Sequence, residues 1–151
     1  RVTKPLFVET HKEIHMYRLF VSHSWAYGDQ YQKLVNLLDS DRSFIYENYS
    51  VPKDDPVHNA HSVGALREAI WAKMENCDVV LILAGKYATH SKWINEEIKL
   101  TKRSKLIPKP IIGIKPWGNI QVSMPVRLAA DEIINWNTDS IVGTIRRLAY
   151  R

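Results

Sequence analysis

The run Asp78-Val79-Val80-Leu81-Ile82-Leu83-Ala84 constrains this chain more than any other stretch. A strand with one solvated face alternates polar and apolar residues, whereas a strand that is apolar at every position is buried on both faces. That requires a sheet with helices above and below it, and the flanking segments have the right periods to supply both.

Tyr17-Arg18-Leu19-Phe20-Val21-Ser22-His23 reads as a first strand, and Tyr27, Tyr31, Leu34, Val35 and Leu38 then recur at helical spacing. Phe44 to Val51 reads as a second strand, its alternation that of an edge or half-exposed position, closed by Pro52 and the turn Lys53-Asp54-Asp55-Pro56. From Ser62 to Asn76, Val63, Leu66, Ile70 and Met74 define an amphipathic helix that leads into the Asp78–Ala84 strand. A helix is expected over Ser91–Leu100, strands over Pro110–Lys115 and Glu132–Trp136, and a closing helix over Thr138–Leu148. Strands alternating with helices in this way indicate an α/β, three-layer sandwich with a five-stranded, mainly parallel sheet of flavodoxin-like order 2-1-3-4-5. Neither a GxxxxGK[ST] phosphate loop nor a GxGxxG fingerprint is present.

At 151 residues the chain has the size of one domain. Residues 1–16 lack periodicity and are expected to be an N-terminal extension ahead of a domain spanning 17–151. Opening on Arg rather than Met, the chain is expected to start inside a longer polypeptide, with Met16 as another possible native start. The longest apolar run, Val79 to Ala84, is too short to cross a bilayer and no stretch has a secretory layout, so a cytoplasmic protein without membrane contact is expected. The lone Cys77 excludes an internal disulfide and any multi-thiolate metal site. A net charge of +5 suits an anionic ligand. The basic run Lys99 to Lys105 reads as the solvated face and end of a helix, so nucleic acid is not indicated.

One carboxylate stands out. At about 100° per residue, with Trp93 at zero, the apolar arc of the Ser91–Leu100 helix holds Leu100, Thr101, Ile94 and Ile98, and Glu97 falls inside it. Glu96, Asn95, Lys99 and Lys102 fall outside. A carboxylate on an apolar face must be paired, neutralised or placed in a cleft. Glu97 is therefore either a packing residue whose head reaches a cation or an amide, or a site residue.

In open α/β sheets ligands bind beyond the carboxyl ends of the strands, where strand order reverses. Those ends carry Ser22, His23, Ser24 and Trp25 after the first strand, Ser50, Lys53 and Asp54 after the second, and the approach to Trp93 after the third. Each has a plainer reading. Ser22 and Ser24 can cap a helix, Trp25 and Trp93 can be packing residues, and Lys53 and Asp54 can form a solvated turn. His23 and His90 have no metal-ligand spacing, so no metal site is expected, and no nucleophile elbow accompanies the serines.

At these residues the chain resembles a known family. Tyr17 to Trp25, Asn48 to Pro56, Val80 to Gly85, Ile112 to Gly118 and Trp136 to Ser140 are together similar to the bacterial and archaeal TIR-like domains, the group that includes the TIR-like subunit of Thoeris antiphage systems. NAD-cleaving members of the wider superfamily place a glutamate four residues after a tryptophan on the helix following the third strand, a spacing that Trp93 and Glu97 match. The resemblance implies Glu97 as the catalytic carboxylate, with Ser22, His23, Ser24, Trp25, Ser50, Lys53, Asp54 and Trp93 lining the pocket. NAD or a related nucleotide is then a substrate and no separate cofactor is needed. The product would be ADP-ribose or a cyclic isomer used as a signal in antiviral immunity. Self-association for activity and an effector protein that senses the product are further implications. Two other readings stand beside this one: a non-catalytic TIR-like self-association module, and a nucleoside or nucleotide N-glycosidase or transferase on a similar sheet.

Overall fold

The computed structural model describes residues 15–22, 30–49, 63–84, 95, 98, 99, 101, 109–115 and 122–149, with only the backbone at 63, 66, 67 and 69. Five strands, β1 (Met16–Ser22), β2 (Ile45–Asn48), β3 (Val79–Leu83), β4 (Ile111–Ile114) and β5 (Glu132–Ile134), form one sheet of order β2-β1-β3-β4-β5. Every neighbouring pair is parallel, with Leu19 beside Val79, Val80 beside Ile111 and Ile112 beside Glu132. The expected order is thus the observed one.

β3 lies between β1 and β4 and is buried along its whole length. Alternate residues feed two separate cores, as the period of two requires. Tyr17, Leu19, Val21, Val79, Leu81, Leu83, Ile112 and Ile114 pack on one face against Leu34 and Leu38 of α1 (Gln30–Asp39) and against the last helix, Thr138–Leu148. Phe20, Val80, Ile82, Ala84 and Ile111 pack on the other against Ile70 and Met74 of α2 (Val63–Met74), Cys77, and Val126 of a short helix, Met124–Ala129. Charge-assisted bonds fix the amino ends of two strands: Asp78 Oδ2 accepts from the Arg18 amide and Asp131 Oδ2 from the Ile111 amide, each at 2.8 Å. Lys109 Nζ donates to the Glu75 and Cys77 carbonyls at 2.9 and 2.7 Å, satisfying acceptors at the exit of α2.

β2 is the edge strand its alternation suggested: Ile45, Glu47 and Asn48 are exposed and only Tyr46 is half-buried. Its length is four residues rather than the eight read from Phe44 to Val51. Among the described residues no helix is long and apolar enough to cross a membrane.

Candidate functional site

The chain runs from β1 outward to β2 and returns to the other side of β1 as β3, so strand order reverses between β1 and β3. Ser22 is the last residue of β1 and stands in register with Ile82 at that point. It is 1% exposed and, two residues after Phe20, shares the face of the second core. Tyr49, immediately after β2, is on the same face: its amide donates to Leu19 O at 2.8 Å and its ring packs partly buried against the second core. The Tyr49 phenol donates to Glu47 Oε2 at 2.6 Å, and this bond is the first cause of its raised pKa. Tyr49 was not among the expected site residues, although the alternation Ile45, Glu47, Tyr49 carried the signal.

Ala84, next to the end of β3, donates to Ile114 O at 2.8 Å and accepts from the Ser123 amide at 3.0 Å. This pins the start of the short helix to the carboxyl edge of the sheet. Ser123 precedes that helix without a side-chain cap bond, Pro125 stands in the first turn, and the buried Ser123 Oγ has no hydrogen-bond partner.

Residues 95, 98, 99 and 101 are helical, and two of them, Ile98 and Thr101, pack on the second face. Thr101 is fully buried and its Oγ1 donates to Met74 Sδ at 3.5 Å. Ile98 is partly buried against the same core, whereas Lys99 is exposed. These are the inward and outward positions expected for that helix. Of the expected site residues, Ser22 is described. His23, Ser24, Trp25, Ser50, Lys53, Asp54, Trp93 and Glu97 lie outside the described residues, so their mutual geometry is not on view.

On the opposite face α1 is tied to β2 by side-chain contacts that sequence reading did not anticipate. Tyr46 Oη donates to Asp39 Oδ1 at 2.7 Å, and Asn48 Nδ2 donates to Tyr31 Oη at 2.7 Å. Burial first and the Asp39 bond second push the Tyr46 phenol well above its ordinary range, so it acts as a permanent donor. Between α1 and the residue Trp136 that follows β5 is an open cleft of about 400 Å³, lined among the described residues by Lys33, Asn36, Leu37 and Trp136. Among the described residues no group of three His, Cys, Asp or Glu side chains could hold a metal ion.

Residues 20–121 match the family described as Thoeris protein ThsB, TIR-like domain. The matched span begins within β1, runs through β4 and includes every expected site residue. No curated protein matches the chain.

Proposed function

The chain belongs to the TIR-like domain family of the Thoeris protein ThsB, a component of antiphage defence, and from that premise we propose that it cleaves the nicotinamide–ribose bond of NAD with Glu97 as the catalytic carboxylate. The observation that supports this reading is the phase of the described helical residues Ile98, Lys99 and Thr101. Thr101 is 0% exposed and Lys99 is exposed, and in an ideal helix position 97 falls about 40° from Thr101 and about 160° from Lys99. Helical spacing alone thus assigns position 97 to the side of Thr101 rather than that of Lys99, as the sequence reading expects. Ser22 is on the second face, against which Thr101 packs, at the reversal of strand order where such folds bind ligands.

The chemistry suits one fixed carboxylate. As the bond between C1′ and the pyridinium nitrogen breaks, its electron pair passes to nitrogen and neutral nicotinamide leaves. Positive charge grows on the ribose, and a preorganised anion beside it stabilises that charge most in the transition state. C1′ is then captured by a water oxygen, whose proton is released, giving ADP-ribose. Capture by a nucleophilic atom of the same molecule gives a cyclic isomer instead. The Ser22, His23, Ser24 and Trp25 segment, with Ser50, Lys53, Asp54 and Trp93, forms the nicotinamide and ribose pocket in this proposal. The net charge of +5 favours encounter with the anionic dinucleotide.

The test is nicotinamide release from NAD by concentrated protein, with and without a crowding agent, followed by identification of the ADP-ribose product. Glu97→Gln is expected to remain folded and to lose at least about 100-fold in rate. A folded Glu97→Gln variant with full activity removes Glu97 from the mechanism. A second reading, a non-catalytic self-association module, is favoured by one observation: Met124 and Leu128, one turn apart on the short helix, are 56% and 76% exposed. It expects association that grows with concentration and no nicotinamide release in any oligomeric state.

A further inference from the structure

Three buried side-chain oxygens among the described residues have no hydrogen-bond partner: Gln30 Oε1, Ser123 Oγ and Glu132 Oε2. Glu132 Oε2 lies 2.6 Å from Arg147 Nη1, so an ion pair compensates it. Gln30 is half-buried, and its carboxamide can turn to exchange Oε1 for Nε2. Ser123 has neither outlet, being 4% exposed with a single polar atom on its side chain. A hydroxyl taken out of water without a partner destabilises the folded chain, and such groups are few in native structures.

The backbone accounts for the leftover hydroxyl. β3 and β4 pair in parallel with Leu83 beside Ile114, and the Ala84 amide donates to Ile114 O. In a continued ladder Ala84 O would accept from the amide of residue 116, but that residue is proline and has none. The Ser123 amide takes its place at 3.0 Å, which holds Ser123 at the carboxyl edge of the sheet. Its side chain has no local task there. A serine ahead of a helix commonly bonds the amide two or three residues on; the first of these is Pro125, and Oγ makes no cap bond to the second. Alanine would serve the backbone role without the unpaired oxygen.

The ladder also gives the distance from the reversal of strand order. Ser22 is level with Ile82, Ala84 is two residues further along β3, and Ser123 stands beside Ala84 on the β4 side. At about 3.3 Å per residue and about 4.8 Å between strands, Ser123 is about 13 Å from Ser22. That is longer than one ribose and suits the reach from the reacting ribose of an extended dinucleotide to its other half. We propose that Ser123 Oγ is a binding contact for the ADP half of NAD, so that the dinucleotide lies along the carboxyl edge from Ser22 past β3 to the β4 side. This rests on the NAD reading above and adds a wall beyond β4, where none of the expected site residues falls.

The test is calorimetric titration of the whole chain with NAD and with ADP, in the Glu97→Gln background so that no turnover intervenes, beside thermal unfolding of the ligand-free chain. Ser123→Ala removes a group that has no partner without ligand, so its thermal midpoint is expected to be equal or higher. NAD and ADP are each expected to bind it about tenfold more weakly, the loss of one hydrogen bond in a buried site. Ser123→Cys, which nearly keeps the volume but is a weak donor, is expected to show the same loss. Unchanged NAD affinity in both variants overturns the proposal and leaves the role of Glu97 untouched. A lower midpoint in ligand-free Ser123→Ala overturns it too, because the hydroxyl would then hold a structural partner such as a trapped water. A loss confined to NAD, with ADP unaffected, would put Ser123 at the nicotinamide end and overturns it as well. Failure of the parent chain to bind NAD at all removes both this contact and the reading it rests on, so the two failures are told apart.

Discussion

Cys77 shows how strongly a single side chain reports its surroundings. It is 4% exposed between α2 and β3, and burial pushes its thiol up to about 11 from the ordinary 9.0, against the opposing pull of the Lys109 ammonium. A raised folded-state pKa means that the folded chain keeps the proton while the unfolded chain gives it up. The stability associated with the buried thiol is therefore fully present below pH 9 and is lost as pH rises toward 11, to the extent of about 3 kcal/mol at most. Denaturant unfolding followed from pH 8 to pH 10 should show this decline, and Cys77→Ala should flatten it. The comparison is between slopes, so any cost of the substitution at neutral pH drops out. The raised Tyr46 and Tyr49 phenols add losses of their own above pH 10, which is why the window stops there. A Cys77→Ala curve that falls as steeply as the original would mean that the thiol ionises in the folded chain as readily as in the unfolded one.

Among the elements, β4 and the short helix Met124–Ala129 depend on an absent side chain. A Cβ built on Gly113 would lie 3.0 Å from Val126 Cγ1 and 3.2 Å from Ile133 Cγ1, so a side chain there would push the helix residue Val126 and the β5 residue Ile133 back by a few tenths of an ångström. Gly113→Ala is expected to destabilise by about 1–3 kcal/mol through overpacking, partly offset by the better strand propensity of alanine. Adding Val126→Ala removes the tightest contact, so the double variant should be more stable than the sum of the two single losses implies. Additive losses in chemical denaturation would show that the helix shifts freely and that the close approach is not a constraint. This helix is also the element that sequence reading missed. Its apolar residues Met124 and Leu128 face solvent and only Val126 is buried, so no helical stripe announces it. By contrast α1, α2 and the last helix place Leu34 and Leu38, Ile70 and Met74, and Ile141, Ile145 and Leu148 inward at the spacings read from the sequence. For the Glu97 helix, the expected phase agrees with buried Thr101 and exposed Lys99. Periodicity can reach that far. It carries no information on how Ser22, Glu97 and the loops after β1 and β2 meet, because that depends on loop conformation rather than on a repeating pattern. The Tyr31, Asp39, Tyr46 and Asn48 contacts escaped for a related reason: they join residues of two elements whose relative placement a linear pattern does not specify.

For the molecule as a whole, the sheet grades from a wholly buried centre to open edges, and stability should grade with it. β3 is covered on both faces and paired on both sides, β1 and β4 are paired on both sides, and β2 and β5 have one described partner each. β2 has four residues, three of them exposed, and β5 has three, all half-buried. Breaking β3 from its neighbours disrupts both cores at once, whereas detaching β2 leaves the second core and most of the first intact. Amides of β3 should therefore exchange with solvent only through global unfolding, and those of β2 through smaller openings. Native-state hydrogen exchange is expected to give Val80 to Leu83 protection equal to the global stability, and Tyr46 to Asn48 at least about tenfold less. Added denaturant should accelerate the β3 amides steeply and the β2 amides only slightly, because their openings expose different amounts of surface. Equal protection and equal denaturant dependence in β2 and β3 would mean that the sheet opens as a single unit. In that case the loop after β2, assigned here to the NAD pocket, would be anchored as firmly as the centre of the sheet. Lower protection in β2 would instead let that loop rearrange around a dinucleotide while Ser22 stays fixed at the reversal point, so the same exchange data would rank the two walls of the proposed pocket by rigidity.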